Sequence, residues 1–181
     1  MKKFTFLQRL RNKIRIDGEL DLEISENARI VNCFIHCRGK NNTLVIEEGS
    51  VLRHTHLEIL GNNSSIVIGK NCGIGHNSYL SAKEGRTLLV HDECSFSRNV
   101  KIMTSDGHPI FQEDRMMNYA KDITIGKRVW IADNVTVLKG VEVGEDSVLG
   151  INSTVTKSVP AKSIAVGNPA QVVKENIRWE D

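Results

Sequence analysis

One histidine in this sequence lies where a polar loop interrupts an otherwise regular chain. The stretch SDGHPIF at residues 105–111 contains His108 directly before Pro109. An imidazole titrates near neutral pH and can exchange protons there, and a proline restricts the backbone of the residue before it. A histidine in a loop is often an ordinary surface residue. This loop, however, is a long excursion from a compact chain, and such loops are often functional, which favours a chemical role for His108.

The residues around this loop follow a repeat of 22 residues. Ile24, Ile46, Ile68 and Val90 occupy the same place in four successive units. Within a unit an apolar residue also returns every six positions, and after the loop the same period continues without a break. The series are Ile68, Ile74 and Leu80; Val90, Phe96 and Ile102; and Ile125, Ile131, Val137, Val143, Leu149 and Val155. A period of six matches neither a helix nor one continuous strand. It predicts short strands joined by tight corners, three to a coil, with the apolar residues inside.

Polar residues mark the corners of this predicted coil. Three sides of six residues leave four residues over in each unit, namely RGKN at 38–41, LGNN at 60–63 and KEGR at 83–86. The loop around His108 starts at this same corner. Residues that tolerate a left-handed backbone recur three positions after the apolar one: Asn27, Gly49, Asn71, Asn77, Asn99, Asn134, Gly140, Asp146 and Asn152. Where His36 and Glu58 occupy expected interior positions, we expect Ile35 and Leu57 to point inward instead.

The first sixteen residues are basic and partly apolar. They contain six Lys or Arg residues and no acidic residue, with Phe4, Phe6, Leu7, Leu10 and Ile14 between them. This pattern predicts a short amphipathic helix that covers one end of the core. A second interpretation is weak contact with a membrane surface or another anionic partner. The net charge of +2 argues against a general nucleic-acid-binding protein.

The remaining composition predicts a single cytoplasmic domain. A chain of 181 residues is long enough for one domain with a sizeable core. The basic segment lacks the continuous apolar run of a signal peptide, and no later segment is long and apolar enough to span a bilayer. The four cysteines include no C-x-x-C pair, and Cys72 and Cys94 lie at equivalent points of the repeat. We therefore interpret the cysteines as buried thiols rather than disulfides or zinc ligands.

The repeat resembles that of the hexapeptide-repeat acyltransferases. Their unit begins with an aliphatic and a small residue, and it is matched by IGKRVW, IADNVT and VGEDSV, which start at Ile125, Ile131 and Val143. The His-Pro loop, VWIA at 129–132 and VGNPAQVVK at 166–174 are similar to three further motifs of that family. Together they look most like the bacterial O-acetyltransferases of capsular or polysialic acid polysaccharides.

The resemblance implies an all-β fold, a left-handed parallel β-helix with a protruding catalytic loop and short terminal helical segments. On this basis we divide the chain into a basic N-terminal segment (1–18), the β-helix (19–168) with its loop (104–122), and a C-terminal tail (169–181). Members of the family form trimers with active sites between subunits. The resemblance therefore implies a homotrimer in which each loop meets a neighbour's coils.

The resemblance also implies a mechanism. His108 would be the general base that takes a proton from a sugar or polysaccharide hydroxyl, and the alkoxide would attack the thioester of acetyl-CoA directly, with no metal. Asp106 or a backbone carbonyl could orient the imidazole, and the sequence leaves this choice open. Trp130 would place its backbone N–H at the developing oxyanion and its ring against the pantetheine arm.

Matching to the family's motifs gives candidate binding residues. Those for acetyl-CoA are Trp130, Asp133, Ile151, Thr156, Lys157 and Lys174. The family often has arginine at the position of Lys174. A lysine cannot form the two parallel hydrogen bonds to a phosphate that an arginine forms. Those for the acceptor are His76, Asn77, Arg115, Asn118 and Tyr119. An anionic acceptor would suit Arg115 and the basic N-terminus.

Other functions of the same fold are excluded or remain as alternatives. A γ-class carbonic anhydrase needs a His-x4-His metal-binding pair, which the six histidines do not form. No Gly-rich strand–helix unit precedes the repeat, which excludes the acetyltransferases with a separate nucleotide-binding domain. A single-domain antibiotic or amino-sugar acetyltransferase remains an alternative, and a non-catalytic β-helix scaffold is a weaker one. The sequence leaves open which acceptor is used and which hydroxyl or amine is acetylated.

Overall fold

The computed structural model describes residues 4–180, which form a triangular prism of stacked parallel coils. The first face consists of β2 (Arg29–Val31), β4 (Val51–Arg53), β7 (Gly73–Ile74), β10 (Ser95–Phe96), β15 (Trp130–Ile131), β18 (Val148–Leu149) and β20 (Ser163–Gly167). The second contains β5 (His56–Leu60), β8 (Tyr79–Lys83), β11 (Lys101–Met103), β16 (Thr136–Leu138) and β19 (Thr154–Val155). The third contains β6 (Ser65–Ile68), β9 (Thr87–Val90), β14 (Ile123–Ile125) and β17 (Glu142–Val143).

Two long strands connect the second and third faces. These are β1 (Lys13–Ile24) and β3 (Phe34–Ile46), which continue around the corner between the two faces and so join them into one sheet. Three elements lie outside the coil. They are the helix α1 (Phe6–Arg11), a hairpin of β12 (Phe111–Gln112) and β13 (Arg115–Met116), and β21 (Ala170–Glu175), which pairs antiparallel with β20.

The strand register confirms the predicted repeat. Ile24 pairs with Ile46, Ile46 with Ile68 and Ile68 with Val90, each one coil further along the prism. The interior residues predicted from Ile68 to Val155 are all buried, with at most 3% of their surface exposed. Removing one such side chain from water stabilises the fold by roughly 1.5–3 kcal/mol, so the stacked series supplies most of the core energy.

The first coils show the one-residue shift that the sequence predicts. Ile35 and Leu57 are fully buried, whereas His36 and Glu58 are half-buried. The pairing of His36 with Glu58 continues to Ser81 in the next coil. Alternate residues of a strand point to opposite faces, so this register puts His36 and Glu58 on the outer side of the second face, where the row continues to the buried Ser81.

The corners have the left-handed backbone that the residue types predict. Eight of the nine predicted positions have φ between 54° and 80°, and Asn27 is the one that does not. The prediction missed corner residues with less tolerant side chains, such as Glu93 at 60° and Arg128 at 55°. At one corner the asparagines bond to each other, because Asn134 accepts from Asn99 and donates to Asn152, each at 2.9 Å. The stack itself imposes the corner geometry, and the residue type only lowers its cost.

Both ends of the chain differ from the prediction. Helix α1 is six residues long, capped by Thr5, and β1 already begins at Lys13, inside the segment (1–18) that we separated from the β-helix. Phe4 is buried in the core, but the apolar residues of the helix itself, Phe6, Leu7 and Leu10, are exposed. The end of the described chain carries the strand β21 where we expected a helical segment. Lys2 and Lys3 of the predicted basic segment lie outside the described residues.

The structure also bears on the cysteines and on membrane-spanning helices. All four cysteines are buried as free thiols, which confirms the interpretation of Cys72 and Cys94 as buried residues. Residues 4–180 include no helix of the length and hydropathy needed to cross a membrane.

Candidate active site

The loop that carries His108 leaves the prism after β11 and returns at β14. It starts at the corner between the second and third faces, where the shorter loops of the preceding coils lie, as the sequence predicts. The hairpin of β12 and β13 forms its outer part, and Phe111 pairs with Met116 there. The loop therefore has secondary structure of its own.

Polar side chains fix the loop around His108. Lys139, which follows β16, contacts the Asp106 carboxylate and donates a 2.9 Å hydrogen bond to the backbone carbonyl of Asn118. The Asn118 amide donates to Asp106 at 2.8 Å and to the backbone carbonyl of His108 at 2.9 Å. Its oxygen accepts from the N–H of Ile110 at 2.6 Å. Lys139 therefore ties Asp106 and Asn118 to the coil, and Asn118 holds the backbone of His108 and Ile110.

These bonds also determine the charge of Asp106. Partial burial raises the pKa of its carboxyl group, but the hydrogen bonds from Lys139 and Asn118 and the charge of Lys139 outweigh this effect. The pKa is lowered overall, so Asp106 is a carboxylate at neutral pH. Lys139 is only 16% exposed and therefore holds its partner from a partly desolvated position.

The imidazole of His108 itself is free. It is exposed and makes no hydrogen bond with another group of residues 4–180. The expectation that Asp106 could orient the ring is therefore wrong for a single chain, because this carboxylate faces Lys139 and Asn118. The Asn118 amide makes its hydrogen bonds within the loop, and its predicted contact with the acceptor stays a prediction.

A groove runs along the first face, next to the corner that leads to the second face. It has a volume of about 690 Å³. Its lining includes Gly75, His76, Arg98, Trp130, Asp133 and Ile151. The structure thus brings together four of the predicted site residues, which come from three different coils. Three of these four directly precede corner asparagines, and Arg98 holds the same position in the coil between those of His76 and Asp133.

Trp130 forms one wall of this groove. Its side chain is 40% exposed, and its ring nitrogen lies 3.4 Å from the hydroxyl of Ser97. Its backbone N–H donates a 3.0 Å hydrogen bond to the carbonyl of Ser147 in the ladder between β15 and β18. That N–H cannot also serve a developing oxyanion, so this part of the predicted role is wrong. The ring remains available to a ligand in the groove.

An ion pair at the groove was missed by the sequence analysis. The Asp133 carboxylate accepts from the backbone N–H of Arg98 at 2.7 Å and from its guanidinium at 2.5 and 3.4 Å. The hydrogen bonds from Arg98 lower the pKa of Asp133, which is therefore ionised at neutral pH. Arg98 and Asp133 both directly precede a corner asparagine, so the repeat contained a signal for this pair.

Other predicted binding residues lie away from the groove in one chain. Thr156 and Lys157 are exposed after β19 on the second face, and Lys174 is exposed on β21. Arg115 and Tyr119 are exposed within the loop. Asn77 is the corner residue after His76, with φ of 60°. Their predicted roles remain predictions.

The loop and the groove lie at opposite edges of the second face. The loop leaves from the edge shared with the third face, whereas the groove follows the edge shared with the first. Residues 4–180 hold no cluster of three His, Cys, Asp or Glu side chains that could bind a metal ion. The exposed imidazole of His108 and the groove lined by Trp130 and Asp133 are the two features of the candidate site.

Comparison with known proteins places the chain in a family. The model of the bacterial transferase hexapeptide (six repeats) matches residues 122–157. The crystal structure of the polySia-specific acetyltransferase NeuO superposes with a TM-score of 0.75 and 30% identity, over 94% of this chain and 89% of that one. The chain belongs to the hexapeptide-repeat acyltransferases. Its fold is therefore the left-handed parallel β-helix of that family, as the resemblance implied.

Two further members resemble parts of the chain. The polysialic acid O-acetyltransferase of Escherichia coli O1:K1 / APEC is 42% identical over 76 residues, which are 41% of this chain and 25% of that protein. This chain thus spans only about a quarter of that curated relative. The acetyltransferase VCA0836 from Vibrio cholerae O1 biovar eltor, solved with acetyl-CoA, shares the fold with a TM-score of 0.52 and 23% identity, over 66% of this chain and 64% of that one.

Proposed function

We propose that this protein is an acetyl-CoA-dependent O-acetyltransferase that modifies a hydroxyl of a sugar or surface polysaccharide. The observation that carries the proposal is the anchored loop, which presents the free imidazole of His108. Family membership supports acyl transfer, and a relative of the same fold was solved with acetyl-CoA. The acceptor class follows from the named substrate of the relatives, polysialic acid.

The chemistry needs one base and no covalent enzyme intermediate. A nitrogen of the His108 imidazole takes the proton of the acceptor hydroxyl while the oxygen attacks the thioester carbonyl of acetyl-CoA. The tetrahedral intermediate expels the CoA thiolate, and the proton on His108 passes to that sulfur. The products are the acetyl ester and CoA, and the imidazole returns to its neutral form.

The groove suits the cosubstrate. Pantetheine is long and thin, and the Trp130 ring with Ile151 offers it an apolar wall. The pair of Arg98 and Asp133 offers polar groups along the same wall. Thr156, Lys157 and Lys174 remain predicted CoA contacts, and they would complete the site from outside this groove.

The proposal includes a homotrimer. In a threefold arrangement with the second faces toward the axis, the loop edge of one copy lies beside the groove edge of the next. If the threefold axis is parallel to the long axis of the prism, the rotation leaves the position of each coil along that axis unchanged. His108 belongs to the same coil as Arg98, so it would meet the neighbour's groove at the level of Arg98.

The test of the proposed chemistry is His108→Ala in an assay of CoA release with sugar acceptors. We expect kcat to fall by about 10²- to 10⁴-fold, as for loss of a general base, with unchanged CoA binding. The matched control is His91→Ala, another exposed histidine that lies outside the loop and the groove. Undiminished transfer by His108→Ala would contradict the mechanism. Absence of transfer by the unaltered protein to any hydroxyl or amine would favour a scaffold.

A second test asks whether each active site combines the loop of one copy with the groove of another. Copies with His108→Ala and copies with Trp130→Ala are mixed after each has been shown to be inactive. If each site takes its loop and its groove from different copies, a 1:1 mixture regains about a quarter of full activity, because one interface in four is intact. A mixture that stays inactive after subunit exchange means that one copy supplies both parts.

A further inference from the structure

The segment 176–180 folds back onto the first face beside the groove. Ile177 donates a 3.0 Å hydrogen bond to the carbonyl of Lys162. Two residues later, the indole N–H of Trp179 donates a 2.7 Å bond to the carbonyl of Arg128. The Arg128 guanidinium in turn donates to the carbonyl of Trp179 at 3.1 Å and lies 5.5 Å from the centroid of its ring.

The residue that receives Trp179 is itself well fixed. Arg128 is a corner residue with φ of 55°. Its guanidinium bonds the Asp146 carboxylate at 2.9 Å and lies 3.7 Å from that of Glu93. These carboxylates belong to the coils on either side of Arg128. The Trp179 ring is therefore attached to a rigid part of the prism.

Trp179 also contacts the groove wall. Its ring and that of Trp130 have centroids 6.2 Å apart and planes inclined by 44°, a favourable tilted arrangement of two aromatic rings. The side-chain hydrogen bond of Trp130, to Ser97, is long at 3.4 Å. Trp130 thus presents one part of its ring to the groove, and Trp179 supports the ring from the side.

We propose that Trp179 is a positioning residue, which holds the Trp130 ring in the orientation that binds the thioester cosubstrate. It acts through Trp130, because Trp179 does not line the groove. The inference rests on the proposed function, in which the Trp130 ring contacts the pantetheine arm. Loss of Trp179 should then weaken acetyl-CoA binding and leave proton transfer at His108 intact.

The kinetic test compares Trp179→Ala, Trp179→Phe and the control Arg178→Ala. Arg178 lies in the same segment, is 80% exposed and pairs only with Glu180 among the described residues. We expect Trp179→Ala to raise KM for acetyl-CoA by about three- to tenfold, the range for loss of one aromatic pair, with kcat changed less than about twofold. Trp179→Phe keeps a ring and should restore most of the affinity. Arg178→Ala should leave both constants unchanged.

A spectroscopic test needs no turnover, because Trp130 and Trp179 are the only two tryptophans in the chain. In Trp179→Phe and Trp179→Ala the fluorescence comes from Trp130 alone. We expect a red-shifted emission and stronger acrylamide quenching in the alanine variant than in the phenylalanine variant. Titration with CoA should quench the emission of Trp130 in both.

The outcomes separate this inference from the proposed function. Identical emission and quenching of Trp130 in both variants would overturn the positioning role, whatever the activity. So would an unchanged KM for Trp179→Ala, or a loss of kcat alone. If the unaltered protein transfers no acetyl group but its alanine variant shows the expected change in Trp130 emission, the proposed function fails and the positioning of Trp130 stands.

Discussion

The groove on the first face and the loop that carries His108 lie at opposite edges of the second face, and different interactions hold them in place. The groove wall consists of coil residues whose backbone bonds continue the ladder, as for Trp130 with Ser147. The loop has only a short hairpin, and its inner part depends on side chains, chiefly Lys139 and Asn118.

This difference assigns separate tasks to the two regions. The groove is a product of the repeat, so it is as rigid as the prism and suits the binding of a long cosubstrate. The loop departs from the repeat, and it can present His108 away from the prism because a few polar bonds fix its base. Substitutions in the groove should therefore change stability or affinity, whereas substitutions at the loop anchor should change the rate.

The sharpest contrast comes from one glycine in each region. A Cβ at Gly75, in the groove wall, would lie 2.1 Å from the backbone oxygen of Ser97, which cannot move without its coil. We expect Gly75→Ala to lower the free energy of unfolding by about 3 kcal/mol. Gly107, in the loop, has φ of +86° and no atom within 4 Å of such a Cβ. Gly107→Ala should cost only about 1 kcal/mol, for the left-handed backbone. Urea unfolding measures both, and equal losses would contradict the contrast.

The loop anchor is tested by Lys139→Met, which keeps the length of the side chain and removes its charge. Without the contact to Asp106 and the bond to the Asn118 carbonyl, the loop shifts, and we expect kcat to fall by about ten- to a hundredfold. The dissociation constant of CoA, measured by calorimetry, should not change. Lys101→Met, an exposed lysine on β11, is the control. An unchanged kcat would show that the hairpin alone holds the loop.

The Glu58 cluster lies outside the groove and the loop. It tests whether a loss of stability alone changes affinity or rate. On the second face, Glu58 bonds the Tyr79 hydroxyl and lies 2.7 Å from the Lys83 ammonium group. Burial raises the pKa of Glu58. The hydrogen bonds from Lys83 and Tyr79 lower it by more, so that the pKa lies below its ordinary value of 4.5. A lowered pKa means that this stabilisation is full above pH 4.5 and is lost as the pH falls below it.

We therefore expect Glu58→Gln to lower the free energy of unfolding at pH 7 by about 1–2 kcal/mol. The difference from the unaltered protein should shrink as the pH falls below about 4.5, because this carboxyl group then binds a proton in the unfolded chain first and in the folded protein only at lower pH. Thermal unfolding at pH 7 and pH 3.5 measures this change. The values of kcat and KM at 25 °C should stay the same, and a loss of activity would connect this face to the site.

The smallest effect is expected from Asp133→Asn in the groove. The amide oxygen can still accept from the Arg98 N–H, but the charged pair with the guanidinium is lost. Because Arg98 is largely exposed, we expect KM for acetyl-CoA to rise only about threefold, with kcat unchanged. Asp92→Asn is the control, since Asp92 accepts from the Lys70 N–H in the same way but lies outside the groove. Equal effects would mean that the corner, not the groove, is responsible.

The repeat made most of the fold predictable. Every coil buries a residue at the same place, so the six-residue period predicted the interior, the faces and even the shift at Ile35 and Leu57. The corner at which the His108 loop starts was predictable for the same reason. The ends were less predictable, because Lys13 to Ile16 already belong to the first coil, although they lie in the basic segment that we predicted to be an amphipathic helix.

The candidate site was predictable only where it follows the period. His76, Arg98, Asp133 and Ile151 occupy equivalent positions of four successive coils, and the structure brings them to one groove with Trp130. The hydrogen-bond partners of Asp106, Asn118 and the Trp130 N–H could not be predicted, because they depend on which groups are within reach. A residue type shows which bonds are possible but not which bond forms.

The sequence by itself thus determined the coil, its register, its core and the position of the loop, because parallel pairing repeats at a fixed spacing that a one-dimensional chain displays. Only the tertiary structure decided that Lys139 anchors the loop and that Trp179 reaches Trp130. Those contacts join residues 33 and about fifty positions apart, at separations that belong to no repeat. They depend on how the loop and the segment 176–180 pack onto the finished prism, and packing of this kind leaves no periodic trace in the chain.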